Sequence, residues 1–347
     1  MRLSIIIPTH NRLARLRRVL AALARQTTPR EQFEVIVVSD GSSDGTDAYL
    51  QSGATPLPVR AVLQDNQGVA AARNAGVAAA AHVLLLFLDD DVVPAPALVA
   101  EHVRMHEELG PQAVVMGTML TPPDRRLSAW VQWEQMMLGK QYAAMARGDW
   151  QATARQFYTG NTSLRRQQVV DAGGFDPRFR RAEDVELAYR LADRGATFHF
   201  HAPAAAHHYA ARSYASWRAT PYTYGRSDVI FTREKGQAWL LPAIFEEYHK
   251  RSPLVRALVR LALDREGISR ALEAVLHSAG RAAYALRNQS VPRMVYSGIF
   301  NLRHYQGIAA ELGGRDAFFA GTGGEQVQLA GGDNGGPREV VDASTAF

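Results

Sequence analysis

The chain has 347 residues, 47% of them apolar and 21% charged, and its 39 Lys and Arg against 34 Asp and Glu leave a net charge of +5. This length predicts about two domains with a substantial core, and the composition excludes an intrinsically disordered chain. With no cysteine present, disulfides, thiolate zinc sites, iron–sulfur clusters and a cysteine nucleophile are excluded as well.

In chain order, Leu3–Ile7 reads as a buried strand, and Leu16, Val19, Leu20 and Leu23 follow at helical spacing behind Asn11, a candidate N-cap. Val35–Ser39 is a second strand, closed by the loop Asp40-Gly-Ser-Ser-Asp44-Gly. Val59–Leu63 is a third strand, Gly68–Ala80 an alanine-rich helix, Val83–Leu88 a fourth strand, Pro96–Leu109 a helix and Ala113–Met116 another strand. Strands alternating with helices predict βαβ units and a mostly parallel sheet covered on both faces, with ligands at the carboxyl ends of the strands. A tryptophan- and methionine-rich stretch then runs from Leu120 to Gln156, strand character returns at Phe157-Tyr158, a helix follows over Asp184–Arg194, and a short strand at Phe198–His201 precedes the loop pair His207-His208. Lys250–Arg303 is helical and basic, and from Gly321 the Gly-rich, weakly apolar tail is expected to be disordered. No apolar run reaches the ~18–20 residues that span a bilayer, and the N-terminal apolar run is too short for a signal peptide, so a soluble, cytoplasmic protein is expected.

Four strand ends carry polar groups: Pro8-Thr9-His10-Asn11-Arg12, Asp40 with Asp44, Asp65-Asn66-Gln67-Gly68 leading to Arg73-Asn74, and Asp89-Asp90-Asp91. Three successive carboxylates repel one another unless a cation compensates. In an extended segment Asp89 and Asp91 would point the same way and share a site while Asp90 faces elsewhere. Hard oxygen ligands of this kind suit Mg²⁺ or Mn²⁺, completed by water and substrate phosphates; loop and capping carboxylates ahead of the next helix are the plainer alternative.

The ordered set Ser4-Ile-Ile-Ile-Pro-Thr-His-Asn-Arg, Val-Ile-Val-Val-Ser-Asp40-Gly-Ser-Ser-Asp44-Gly-Thr, Asn66-Gln-Gly-Val-Ala-Ala-Ala-Arg-Asn-Ala-Gly and Leu-Phe-Leu-Asp89-Asp-Asp91 resembles glycosyltransferase family 2. The resemblance continues through Gly160-Asn-Thr-Ser, Gly173-Gly-Phe-Asp, Glu183-Asp184 and His207-His208, and covers about residues 1–230. It implies an α/β protein of the GT-A fold, a mixed, mostly parallel sheet between helices. The catalytic domain would occupy 1–230, divided into a nucleotide-sugar half over 1–118 and an acceptor half over 119–230. A helical region over 231–318 and a disordered tail over 319–347 would follow.

By the same resemblance Asp40 would accept a hydrogen bond from the donor's nucleobase, with Pro8, Thr9 and Arg12 as pocket floor and Asn66 and Gly68 nearby. Asp89, with Asp90, would lie near the ribose, and Asp91 would bind a metal bridging the diphosphate. One of His207 and His208, with His207 slightly preferred, would complete that metal site. Arg73, near a helix N-terminus, suits an anionic phosphate, although an ordinary structural Arg reads equally. Asp184 is the expected general base, with Glu183 as its fallback; a favourable charge at a helix N-terminus is the plain reading of both. Trp130, Trp133, Tyr158 and Asn161 would either face a sugar acceptor or pack a core.

The implied reaction is inverting transfer of one sugar from a nucleoside-diphosphate sugar, a UDP-sugar foremost, aided by Mn²⁺ or Mg²⁺. The hydroxyl acceptor would be a glycan, a glycolipid or a small molecule. Rival readings are a retaining enzyme of the same fold, a non-catalytic nucleotide-sugar-binding scaffold, and a nucleotidyltransferase. Lys250–Arg303 holds ten basic and three acidic residues, so it is either a solvated helical face or a peripheral contact with the inner face of an anionic membrane. No nucleic-acid recognition motif accompanies this charge.

Overall fold

The computed structural model describes residues 1–179 and 181–324. In chain order the elements are β1 (Leu3–Thr9), α1 (Leu13–Leu23), β2 (Phe33–Asp40), α2 (Thr46–Gln51), β3 (Arg60–Gln64), α3 (Val69–Ala79), β4 (Leu84–Leu88), β5 (Val92–Pro94), α4 (Leu98–Leu109) and β6 (Ala113–Leu120). They continue with α5 (Ala129–Arg147), β7 (Asn161–Arg165), α6 (Arg166–Asp171), α7 (Glu183–Asp193), β8 (Thr197–His208), α8 (Tyr214–Glu234), α9 (Leu240–Lys250), α10 (Pro253–Ala262), α11 (Glu266–Ala285), α12 (Ser290–Leu312) and α13 (Arg315–Thr322).

All eight strands form one sheet in the order β3-β2-β1-β4-β7-β6-β8-β5. β1 pairs in parallel with β2 and β4, β2 with β3, and β6 with β8; β7 runs antiparallel to β4 and β6, and β5 to β8. Every residue of β1 and β4 is buried, the signature of central strands covered on both faces, whereas β3 at the edge is half exposed. Leu16, Val19, Leu20 and Leu23 of α1 pack into the core with Leu3, Ile5, Ile7, Val35 and Val37, so the helical spacing of the sequence does mark the buried face.

Two units divide the chain: one comprises Met1–Arg125 and Gly139–Ala210, the other Arg126–Leu138 and the chain from Ala211 onward. The division thus falls at Ala210 rather than near 230, because α8 runs unbroken across 230. No break occurs at 118, where β6 is continuous. The first unit holds the whole sheet. The second is helical and has its own core of Ala129, Trp133, Trp217, Val295, Tyr296 and Ile299. Within it α8 and α12 cross at two glycines, since a Cβ on Gly225 would meet the His304 carbonyl and one on Gly307 the Tyr222 carbonyl.

Several sequence expectations change. Residue 12, not Asn11, caps α1; Asn11 adopts a left-handed conformation with φ 53°, and its side chain instead accepts from the Ser43 backbone N–H. Strand character at Phe157-Tyr158 moves to Asn161–Arg165, and β5 was absent from the sequence reading. His207 and His208 end a twelve-residue strand rather than lie in a loop. Residues 319–322 belong to α13 rather than to a disordered tail, because Phe318 is buried against Phe245, Tyr248 and Tyr305; that expectation for 325–347 lies outside the described residues.

Candidate functional site

The chemistry gathers where β1, β2 and β4 end. Asp89-Asp90-Asp91 follows β4 in a tight turn closed by the Val92 N–H on the Asp89 carbonyl, 3.1 Å. Strand alternation therefore does not apply, and the three carboxylates have different sets of cationic partners, with Arg12 shared by Asp90 and Asp91. Asp89 receives Arg73 Nη2 at 3.0 Å. Asp90 is buried, held by the Thr9 hydroxyl at 2.8 Å and Arg12 Nη1 at 2.9 Å. Asp91 faces Arg15 Nη1 at 3.1 Å, Arg12 Nη1 at 3.6 Å and His208 Nε2 at 3.5 Å. The turn, rather than strand alternation, sets where Asp89 and Asp91 point, and the charges of all three aspartates act on Arg12.

Electrostatics separate the neighbours further. Burial pushes Asp90 up to about 6, because Arg12 and Thr9 only partly offset it and the adjacent Asp91 charge adds to the rise. Asp91 is equally removed from water, but His208, Arg12 and Arg15 outweigh burial and hold it down to about 2. It is thus an obligate anion, as a cation ligand must be.

Behind this turn lies a second cluster. Arg73, buried in the first turns of α3, spans Asp89 and Glu183, reaching Glu183 Oε1 at 2.6 Å, and its Nε has no hydrogen-bond partner among the described residues. Burial opposes its charge, but Asp89 and Glu183 more than restore it. The next residue, Asn74, clamps the Phe175 backbone in both directions, donating to its carbonyl and accepting from its N–H, each at 2.8 Å. Gly174 admits that clamp: its φ is +74°, and a Cβ there would stand 2.7 Å from Asn74 Oδ1. α3 thereby fixes both the loop before α7 and the first residue of α7. Asp184, the second, is partly exposed, and burial together with the charge of Glu183 pushes it up to about 7.

Asp40 plays a structural part. Its carboxylate accepts from the Gln64 side chain at 2.7 Å and from the backbone N–H groups of Gln67 and Gly68 at 2.8 Å each. It anchors the loop that opens α3, and those three donors use three of the roughly four acceptor positions of a carboxylate. Asn66 is exposed and lies 3.2 Å from the His10 ring, while Pro8 is buried within β1. Asp44 caps α1 through the Leu13 N–H at 2.9 Å.

The residues expected to face an acceptor fall in both units, Trp130 and Trp133 in the helical one, Tyr158 and Asn161 in the sheet-bearing one. Trp133 is buried in the helical unit's core, and Trp130 packs at the edge of that core with its Nε1 on the Arg212 carbonyl. Asn161 is fully buried and donates to the Ala204 carbonyl at 2.8 Å, and Tyr158 donates to the Gly117 carbonyl. Trp133 and Asn161 thus serve packing, whereas Trp130 and Tyr158 are partly exposed. His208, not the preferred His207, reaches Asp91, because successive residues of a strand point to opposite faces and His207 is registered against Val93. The sequence reading missed Arg15 and the Asn74 clamp. A basic residue three positions after Arg12 was the available signal for Arg15, since i and i+3 share a helix face.

Among the described residues no group of three or more His, Cys, Asp and Glu side chains could hold a metal ion by itself. The pair of Asp91 and His208 nevertheless fits a cation that keeps water and takes substrate phosphates for the rest of its shell, and carboxylate with imidazole suits Mn²⁺ better than Mg²⁺.

Comparison with known proteins places this arrangement. The family described as glycosyl transferase family 2 matches residues 4–174. A validoxylamine A glucosyltransferase of Streptomyces hygroscopicus subsp. jinggangensis is 36% identical over 222 residues, 56% of this chain and 52% of the relative. The hyaluronan synthase of Pasteurella multocida is 30% identical over 226 residues, 56% of this chain and 23% of that one. The chain spans about half the length of the glucosyltransferase relatives it matches. Among solved structures, S. aureus TarS 1-349 in complex with UDP-GlcNAc superposes with a TM-score of 0.55 at 17% identity, covering 86% of this chain and 91% of that one. The mannosyltransferase PcManGT from Pyrobaculum calidifontis, in complex with GDP-Man and Mn²⁺, gives 0.54 at 18% identity, covering 87% and 85%. Both share the GT-A fold with this chain.

Proposed function

We propose, for a chain whose residues 4–174 match glycosyl transferase family 2, that it belongs to that family and moves one sugar from a nucleoside-diphosphate sugar to a hydroxyl acceptor with inversion at the anomeric carbon. The observation that carries this reading is the position of Asp184. It lies beside the Arg73 ion pairs that tie the start of α7 to the Asp89 turn, where burial and the Glu183 charge raise its affinity for a proton. A general base works best when its pKa is near the working pH.

In this reading the acceptor hydroxyl gives its proton to Asp184 as its oxygen attacks the anomeric carbon. The bond from that carbon to the diphosphate breaks, and its electron pair leaves with the phosphate oxygen. Arg12 and Arg15 stand beside Asp91 to receive the phosphate charge. Asp91 and His208 would hold the divalent cation, which when bound neutralises the leaving nucleoside diphosphate. Glu183 keeps Arg73 in place, a positioning role rather than that of an alternative base. A UDP-sugar is the first donor to test, and a glycan, glycolipid or small metabolite the acceptor.

Calorimetric titration with UDP, GDP, dTDP and CMP, each with and without Mn²⁺, tests the donor site on the wild type and on Asp91→Ala. Tight, Mn²⁺-assisted binding of one nucleoside diphosphate, weakened in the variant, is expected. Absence of binding to all four by the folded protein would remove the donor assignment. A product that retained the donor's anomeric configuration by NMR would remove the inverting mechanism.

A further inference from the structure

The helical unit leaves apolar side chains in water in one region. Among the described residues, fourteen large hydrophobic side chains are exposed, and six of them (Leu254, Leu261, Ile268, Val275, Leu286 and Met294) fall within one short span. Scattered exposed hydrophobics are ordinary, but a concentration of them marks a contact surface.

Their spacing is ordered as well. On α11 the exposed residues Ile268, Ala271, Val275, Ala279 and Ala282 recur every three or four positions, and Leu286 just past the helix end continues the series. At 1.5 Å per residue this stripe is about 27 Å long. It is separate from the packed face of α11, where Ser269, Glu273 and Gly280 are buried and Gly280 lies against Val295 and Tyr296. Leu254 and Leu261 stand seven residues apart on α10, again on one face, and are 69% and 48% exposed. Val275 and Leu286 reach 65% and 82%.

The charge of this region is predominantly positive, and its one exposed carboxylate outside an ion pair among the described residues, Asp264, accepts from the Arg315 backbone N–H. Arg260, Arg265, Arg281, Arg287 and Arg293 are all exposed, and none makes an ion pair among the described residues. Lys250–Arg303 has ten basic residues against three acidic ones, and of those three Glu273 is buried on Arg218 while Glu266 pairs with Arg270. A second copy of the chain docking here would set unpaired arginines against unpaired arginines. An anionic lipid surface supplies both the apolar interior for the stripe and the negative charge for the arginines.

We propose that α10 and α11 dock this protein peripherally on an anionic membrane surface, with Leu254, Leu261, Ile268, Val275 and Leu286 entering the headgroup–acyl boundary and the unpaired arginines contacting lipid phosphates. This surface is independent of the donor-site reading. Among the described residues no helix is long and apolar enough to cross a membrane, so the attachment lies on the surface and is reversible.

Co-sedimentation of the full chain with vesicles of phosphatidylcholine containing phosphatidylglycerol, and with vesicles of phosphatidylcholine alone, tests this without any nucleotide. The wild type should pellet with the anionic vesicles, less so as salt rises, and stay in solution with the neutral ones. The double variant Val275→Asp/Leu286→Asp should lose vesicle binding while keeping the wild-type thermal transition, since both positions face water. Replacing Arg260, Arg281 and Arg287 by Gln should weaken anionic-vesicle binding on the order of a hundredfold. Failure of the wild type to bind anionic vesicles would overturn the proposal, as would equal binding to neutral vesicles or unchanged binding by the variants. A wild-type dimer in sedimentation equilibrium that Val275→Asp makes monomeric would assign the face to a second copy and overturn it too.

Discussion

Asp184 and Arg73 show how much a single residue depends on what lies behind it. Asp184→Asn keeps the shape but cannot accept a proton, so transfer should fall by roughly 10²–10⁴-fold in a product-release assay while calorimetric donor binding is kept. The pH dependence has a definite sign. A base must be ionised to work, and burial with the Glu183 charge has raised this carboxyl to about 7, so activity should climb as pH rises through 7 and flatten above it. An acidic limb well below pH 6 would contradict this assignment. Arg73→Met removes the one guanidinium that joins Asp89 to Glu183 and leaves the buried Glu183 uncompensated. Breaking a buried pair in this way costs about 3–5 kcal/mol, readable as a lower midpoint in urea unfolding. A variant as stable as the wild type would mean that Glu183 finds water or another partner.

At the scale of elements, glycines decide how closely helices approach. Gly225 on α8 and Gly307 on α12 each face a carbonyl of the other helix, so Gly307→Ala must push two backbones apart. Overpacking of this kind costs typically ~1–3 kcal/mol or more. Gly139 lies within α5, and a Cβ there meets nothing within 4 Å. The same substitution at Gly139 should therefore stabilise by about 0.5–1 kcal/mol, because glycine inside a helix carries an entropic penalty. Denaturant midpoints of the two variants should move in opposite directions. The clamp of Asn74 on Phe175 belongs to this scale too: it is made by an element 101 residues away in sequence, which is why no local pattern announced it.

For the whole molecule, two units with separate cores predict thermal unfolding that need not be two-state. A nucleoside diphosphate with Mn²⁺ binds the sheet-bearing unit in our reading, and a ligand at a hundred times its Kd stabilises by about 2.7 kcal/mol. Calorimetric scans should therefore show the shift in one transition, and Asp91→Ala should abolish its Mn²⁺-dependent part. A shift shared equally by both transitions would place the ligand or the division elsewhere. What the sequence determined by itself is the alternation of strands and helices, the buried strands over Leu3–Ile7 and Leu84–Leu88, and the gathering of polar residues at strand ends. These follow from local periodicity and from the ordered family motifs, which need no knowledge of distant partners. Only the tertiary structure decided which groups meet. The three aspartates have different partners, Arg73 for Asp89, Arg12 for Asp90, and Arg12, Arg15 and His208 for Asp91, because they sit in a turn. His208 rather than His207 faces Asp91 because the strand continues through both. Asp40 holds a loop that returns to it over Gln64–Gly68, and the tryptophans close a core with helices found 80 residues and more further along. Each of these depends on contacts between residues far apart in the chain, where register, burial and charge balance are set by the packed fold and leave no trace in local spacing.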